Sequence, residues 1–330
     1  MLNRRAILLS AAMAPAILRT ARADDVREVT VAVSSTSFVL GGVRIGEQTG
    51  LFEKNGLKPR IVVMDSGNAA MSALIGRSAQ FAVAGPGEVL AAKARGVDVV
   101  VAASLYRGFA GFVVLSKAVA AKLPAKPDSP LHDRLKALDG LAIAVPSATS
   151  ALLAPIRTAV TEAGAKVRFP YMAQPAMVSA LETGAIDGMV AAFPFAGTPI
   201  LKGTGVLWLD GPGGDLPDFA LPSSSSTLHA TGEYVAANMD TVRRFQRALI
   251  DIGSFIQAQP DAARAALAKG YPTLAADEIA LAFAKQKDNW TKPFLSVADM
   301  RQELKLLQSS VDLPGLANID VAKLIVPPPA

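Results

Sequence analysis

The amino-acid sequence predicts an α/β protein of two lobes, each a doubly wound, mostly parallel sheet, joined by a two-segment hinge. Three observations carry this. Short apolar runs alternate with helical stretches from residue 29 to about 103, and a second such series runs from 141 to 192. A proline- and charge-rich stretch at 117–136 separates the two series. A glycine- and proline-rich return at 211–222 then leads into a mostly helical remainder, whose mass is expected to pack back on the first unit. The expected division is 24–112 with 212–330 for the first lobe and 113–211 for the second.

Taken in order, residues 29–33 (VTVAV) are a β-branched run, followed by polar Ser34-Ser35-Thr36-Ser37 and a helical stretch over 42–55 with Gly56 at its C-cap. Strand 60–64, turn 65–68, helix 69–75, strand 81–84, turn 85–87 and helix 88–94 follow. Residues 97–103 are nearly continuous in apolar side chains, the mark of a strand buried on both faces. The second series reads as strand 141–145, a helix start at 147–150, helix 151–163 ending at Gly164, strand 167–171, helix 176–183 and strand 186–192. Beyond Gly232 four helices are predicted, over 235–259, 260–269, 276–287 and 297–308.

The 330 residues contain no cysteine, which excludes disulfides, zinc–thiolate and iron–sulfur centres and thiol nucleophiles. Two histidines, His132 and His229, remain for acid–base or metal work, so no metal and no cofactor is expected and the chain leans away from an enzyme. Charged residues make up 18% against about 25% in an average soluble protein. The longest uncharged run, 141–156, holds Ser, Thr and Pro, and no window offers the ~20 apolar residues of a bilayer-spanning helix.

The formal charge of +5 is concentrated at one end. Arg4, Arg5, Arg19 and Arg22 lie in the first 23 residues, which have no acid; the rest carries 29 basic residues against 28 acids. A nearly neutral body has no electrostatic footprint for nucleic acid. Arg4-Arg5, the apolar stretch 6–18 and Ala21-Arg22-Ala23 form the three parts of an export signal, cleaved before Asp24. The paired arginines also fit a twin-arginine signal, with Asn3 where Ser or Thr is usual.

In doubly wound sheets ligands bind at the carboxyl ends of strands, where loops meet helix N-termini. Three such junctions carry small hydroxyl, amide or glycine residues: Ser34-Ser35-Thr36, Ser66-Gly67-Asn68 and Ser147-Ala148-Thr149-Ser150. Backbone N–H groups at a helix start favour an anion, and hydroxyls add donors. The same residues also serve as ordinary N-caps. The lining is thus expected to be uncharged, amide and hydroxyl groups from both halves facing one anionic guest. Tyr106-Arg107 follows the buried strand where the chain leaves the first unit, and Phe193-Pro194 ends another strand; each is a candidate wall or clamp, with ordinary packing as the alternative. Ser223–Ser226 with His229 lacks a nucleophile-elbow pattern.

The stretch GVRIGEQTGLFEKNGLKPRIVVMDSGNAAMSALIGRSAQFAVAGPGEVLAAKARGVDVVVAASL, residues 42–105, resembles the first lobe of periplasmic substrate-binding proteins of ABC importers. The type is that of nitrate, taurine and aliphatic sulfonates, related to binders of thiamine-pyrimidine precursors. Gly50-Leu51-Phe52-Glu53-Lys54-Asn55-Gly56-Leu57 is the signature helix end; residues 138–146 (LDGLAIAVP) and 180–188 (ALETGAIDG) resemble second-lobe elements. The resemblance implies a monomeric periplasmic binding-protein fold that closes on a small anion and delivers it to an inner-membrane ABC permease. It also implies a pocket drawn from Ser35, Thr36 and Phe38 in the loop 34–38, Ser66, Gly67, Asn68, Gly85, Pro86, Ser147, Thr149, Ser150, Phe193 and Pro194. Many relatives carry an acidic or polar residue before the Pro-Phe pair where this chain has Phe193, so an amine-binding carboxylate is not expected. A sulfonate or carboxylate with an apolar body fits better than a taurine-like zwitterion. Two other roles stay open: an enzyme on the same fold, whose relatives use a histidine- and cysteine-rich site that this chain lacks, and a ligand-sensing module.

Overall fold

A computed structural model describes residues 26–329, so the predicted export signal lies outside the described residues. Among the described residues nine strands form two mixed sheets. The first contains β1 (Arg27–Val33), β2 (Leu57–Val63), β3 (Phe81–Ala84), β4 (Val99–Arg107) and β9 (Ser224–Thr231), in the order β2-β1-β3-β9-β4. The second contains β5 (Phe112–Ser116), β6 (Ile143–Ala144), β7 (Gly188–Ala191) and β8 (Gly205–Asp210), in the order β6-β7-β5-β8. Each sheet is parallel but for one strand: β9 runs against β3 and β4, and β5 runs against β7 and β8. The reversed strands are the ones that follow a crossing. The chain leaves the first sheet after β4 into β5 and returns after β8 into β9.

The core of the first sheet follows from register and helical spacing. Val31 sits between Ile61 and Phe81 across the parallel pairs. The helix Met239–Ala258 buries Val242, Phe245, Leu249, Ile252 and Ile256, a stripe at helical period. The Phe245 ring meets Phe52 and Phe81 at 5.3 and 5.2 Å, and each such fully buried ring contributes about 1.5–3 kcal/mol. The second sheet has its own core around Val113, Leu135, Ile156, Val190 and Trp208. Trp208 lies in it, its indole N–H donating to the Arg134 carbonyl at 3.0 Å.

Several expectations are corrected. The helix over 42–55 is two, Gly41–Thr49 and Leu51–Lys54, broken at Gly50, whose φ of 71° is left-handed. Asn238 likewise splits 235–259 into Gly232–Ala237 and Met239–Ala258. The helix placed at 151–163 begins only at Ala154, where Pro155 fits the first turn without losing an intrahelical hydrogen bond. Residues 147–153 are therefore a turn, and the hydroxyls at 147–150 do not cap that helix. Residues 167–171 make two isolated bridges to 142 and 145 instead of a strand, Pro170 lacking an N–H for the ladder. Three strands were not expected: β5, β8 and β9.

A candidate ligand cleft at the carboxyl ends of both sheets

The loop after β1, the helix starts after β2 and β3, and the loops after β6 and β7 converge on a cavity of about 50 Å³, lined in part by Ser34, Ser37, Glu88, Ser150, Gln174 and Ser225. Ser34, Ser35, Pro146 and Gln174 also wall an adjoining compartment of about 110 Å³, which Asp65 and Phe195 line. Carboxyl ends of parallel strands from two sheets thus face each other, as expected for a ligand site in doubly wound folds.

Of the predicted residues, Ser35, Gly67, Gly85 and Ser150 line the first cavity, and Thr36 the second. Ser35 Oγ accepts from the Ser37 N–H at 3.0 Å and from Gln174 Nε2 at 3.1 Å. Gln174 Oε1 in turn accepts from the Ala192 N–H at 2.8 Å, so one amide ties the loop after β1 to the end of β7. Asn68 and Thr149 meet at the rim, Thr149 Oγ1 donating to Asn68 Oδ1 at 3.4 Å. Ser147 Oγ donates to Glu88 Oε1 at 3.3 Å across the cleft.

The others serve the fold. Ser66 Oγ accepts from the Ala69 N–H and caps the helix Gly67–Ile75. Pro86 is the first residue of the helix Pro86–Ala94. Phe38 and Phe193 are joined by a backbone bond of 2.7 Å from Phe38 N–H to the Phe193 carbonyl, but their rings are buried against Tyr271 and Phe112. The Phe193–Pro194 peptide is cis, and neither residue lines the cavity. Tyr106 and Arg107 stand outside the cleft because β4 continues through Arg107. The Tyr106 ring is buried in the core, its hydroxyl donating to Gln286 Oε1 at 3.2 Å. Arg107 forks onto Asp299 at 2.9 and 3.2 Å and holds that carboxyl at about 2, against the penalty of its partial burial.

Ser224 and His229 make no nucleophile–base pair. Ser224 Oγ donates to backbone carbonyls of Tyr106 and Ser226, and His229 Nε2 lies 3.0 Å from Thr227 Oγ1. Burial lowers the His229 pKa to about 4. Ser225 stitches the crossings together, accepting from the Ala110 N–H and donating to the Gly108 carbonyl, both at 2.8 Å. The cavity therefore abuts the two segments that connect the sheets.

The expectation of a wholly uncharged lining is overturned by Glu88, the one ionisable side chain around the 50 Å³ cavity among the described residues. It is buried, and burial pushes its carboxyl up to about 8, hydrogen bonds from Ser147 and the backbone offsetting part of the rise. Among the described residues Oε2 has no hydrogen-bond partner, nor has the buried Ser37 Oγ, which lines the same cavity. Glu88 and Gln174 were missed because an acid three residues into a helix, and a glutamine before a proline, read as ordinary helix starts. A signal was present for Glu88: the next four residues, Val-Leu-Ala-Ala, leave that helix no polar face, and all four are buried.

No curated protein sequence matches this chain. Solved structures do match in fold. A protein from Bordetella bronchiseptica RB50 is 22% identical with a TM-score of 0.74, over 91% of this chain and 94% of that one. The alkanesulfonate-binding protein SsuA from Xanthomonas axonopodis pv. citri, bound to MOPS, is 16% identical with a TM-score of 0.73, over 91% and 98%. The periplasmic nitrate-binding protein NrtA from Synechocystis PCC 6803 is 12% identical with a TM-score of 0.65, over 92% and 87%. These likenesses identify the periplasmic binding-protein fold. With the NMT1-like family model matching residues 26–270, the chain belongs to the NMT1-like family.

Proposed function

We propose that this protein is the solute-binding component of an ABC importer. In this reading residues 24–112 with 212–330 form one lobe and 113–211 the other, and they close on a small organic anion, a sulfonate or carboxylate. The observation that carries it is the pair of buried, unpartnered polar atoms, Ser37 Oγ and Glu88 Oε2, inside a cavity walled by both sheets. A buried polar atom without a partner costs about 1–3 kcal/mol, a penalty that a ligand filling the cavity removes. The described conformation has the contacts of a closed form: Ser147 to Glu88, Gln174 to Ser35 and Phe38 to Phe193 all cross between the two units. A ligand held by both sides favours that form over an open one. Hydroxyls of Ser34, Ser35, Ser37 and Ser150 and the start of the helix Gly67–Ile75 supply donors for an acid head group of a few heavy atoms.

The fold likeness to sulfonate- and nitrate-binding proteins supports transport over catalysis, with an inner-membrane permease as partner. In this reading the protein is a monomer exported to the periplasm and cleaved after Ala23, by the general or the twin-arginine route; no helix among the described residues is long and apolar enough to cross a membrane. An aminopyrimidine is the second reading, favoured by the carboxyl of Glu88, which as an acid can donate to a ring nitrogen. Native mass spectrometry of freshly purified protein, with a thermal-shift series of sulfonates, carboxylates, nitrate and aminopyrimidines, tests both. A sulfonate or carboxylate that raises the melting temperature is expected. A protein that carries no small molecule and is stabilised by none of the series would refute the reading.

A further inference from the structure

We infer that Glu88 determines the specificity of this cleft: as a carboxylic acid it donates its proton from Oε2 to an acceptor oxygen of the anionic solute, so that capture depends on Glu88 keeping that proton. This deepens the solute-binding reading and rests on it.

The geometry starts with two missing side chains. A Cβ at Gly67 would stand 2.6 Å from Glu88 Oε1, and a Cβ at Gly85 would stand 2.8 Å from Oε2, so the glycines make the space in which the carboxyl lies. Oε1 accepts from Ser147 Oγ of the opposite unit. That leaves Oε2 buried, without a partner and on the cavity. An ionised carboxylate there would present only acceptors to an anion, and like charges in a dry site repel. A neutral acid presents one donor, which joins the hydroxyls already facing the same space.

No neighbouring group holds the carboxyl ionised. The helix Gly67–Ile75 has no ionisable residue, and the turn 147–153 offers only hydroxyls. On β9 the nearest titratable group is His229, kept neutral by burial. Helix Val297–Ser310 faces Gly87 through Leu307, and its Glu303 is occupied by the N–H groups of Ser223 and Ser224. Lys93, at the far end of Glu88's own helix, pairs with Asp98. Asp65 lines the adjoining compartment and not this cavity. Among the described residues no lysine or arginine lines the cavity. Burial accordingly holds the carboxyl at about 8, so the acid form prevails at pH 7.

The proton balance is definite. Below pH 7 the anion meets an acid already protonated, and no proton is exchanged. At pH 9 each anion bound must take up one proton, so affinity falls about tenfold between pH 7 and pH 9 for a group ionising at about 8. Calorimetric titrations of the full mature chain with ethanesulfonate, benzenesulfonate, propionate, benzoate and nitrate, and with ethylammonium as the opposite charge, read this directly. Expected are binding of an anion at pH 7, the tenfold fall with heats that vary with the buffer's ionisation enthalpy at pH 9, and loss of that fall in Glu88→Gln. Infrared difference spectra across pH 8 supply a readout independent of any probe, taken in a Glu303→Gln background because that carboxyl also ionises at about 8: a carboxylic-acid carbonyl band present there and missing once Glu88→Gln is added. An affinity indifferent to pH, one that rises toward pH 9, preference for ethylammonium, a fall that persists in the variant, or absence of the band would each overturn the inference. Binding by no probe at either pH, with the infrared band in place, would instead strike the solute-binding reading, and the role of Glu88 in capture would go with it.

Discussion

Burial raises three carboxyls, Glu88, Glu303 and Glu278, and the first two make the stability of this protein depend on pH in an unusual direction. Glu88, in the cleft, and Glu303, which accepts from the N–H groups of Ser223 and Ser224 where the chain re-enters the first sheet, are both pushed from 4.5 to about 8 by burial. Because the folded values are raised, the stability contributed by the acid forms is complete below the ordinary carboxylate range and is lost as pH rises through about 8. His229, lowered to about 4, changes stability only below about its ordinary 6.5, and Asp299, at about 2, acts lower still, so neither interferes above pH 6.5. Linkage then removes about 2 kcal/mol per carboxyl between pH 6.5 and pH 9, and about 4 kcal/mol for the pair. Urea unfolding at the two pH values is the assay, with wild type, Glu88→Gln, Glu303→Gln and the double variant. Each single variant should fall about half as far as the wild type, and the double variant should keep only the small remainder left by Glu278. Equal slopes in all four proteins would refute the burial argument.

Other predictions follow from single contacts. Gly67→Ala places a methyl against the Glu88 carboxyl, and should weaken capture of whichever probe binds the wild type by tenfold or more in calorimetry. Arg107→Ala removes the fork onto Asp299 and should cost about 2 kcal/mol in urea unfolding, while leaving anion affinity unchanged; a tenfold loss of affinity would put Arg107 in the site after all. Trp290, whose indole N–H donates to the Phe38 carbonyl at 2.9 Å beside the cleft, should report binding by fluorescence. The signal should survive Trp208→Phe and vanish in Trp290→Phe.

Most strands and helices were legible because their residues state their own environment. Residues 29–33, 81–84 and 97–103 are apolar enough to be read as buried, and the stripe Val242, Phe245, Leu249 and Ile252 announces its buried face. The strand Ser-Ser-Ser-Thr-Leu-His-Ala-Thr of β9 was not legible. It is a buried central strand whose hydroxyls are satisfied by distant carbonyls, those of Tyr106, Gly108 and Ala84, and no local pattern reveals partners more than a hundred residues away. β5 and β8 were hidden beside charged or glycine-rich stretches for a similar reason.

The turns that face the cleft were found at Ser35, Gly67, Gly85 and Ser150, because strand-to-helix junctions mark themselves by small polar residues. What lies between them was not. The chain by itself determined the α/β alternation and the junctions at strand ends, both products of interactions within a few residues of each other. Only the folded molecule decided that Arg107 is spent on Asp299 and that Glu88 enters the cleft, since a side chain's charge state and partners depend on which distant surfaces exclude water from it.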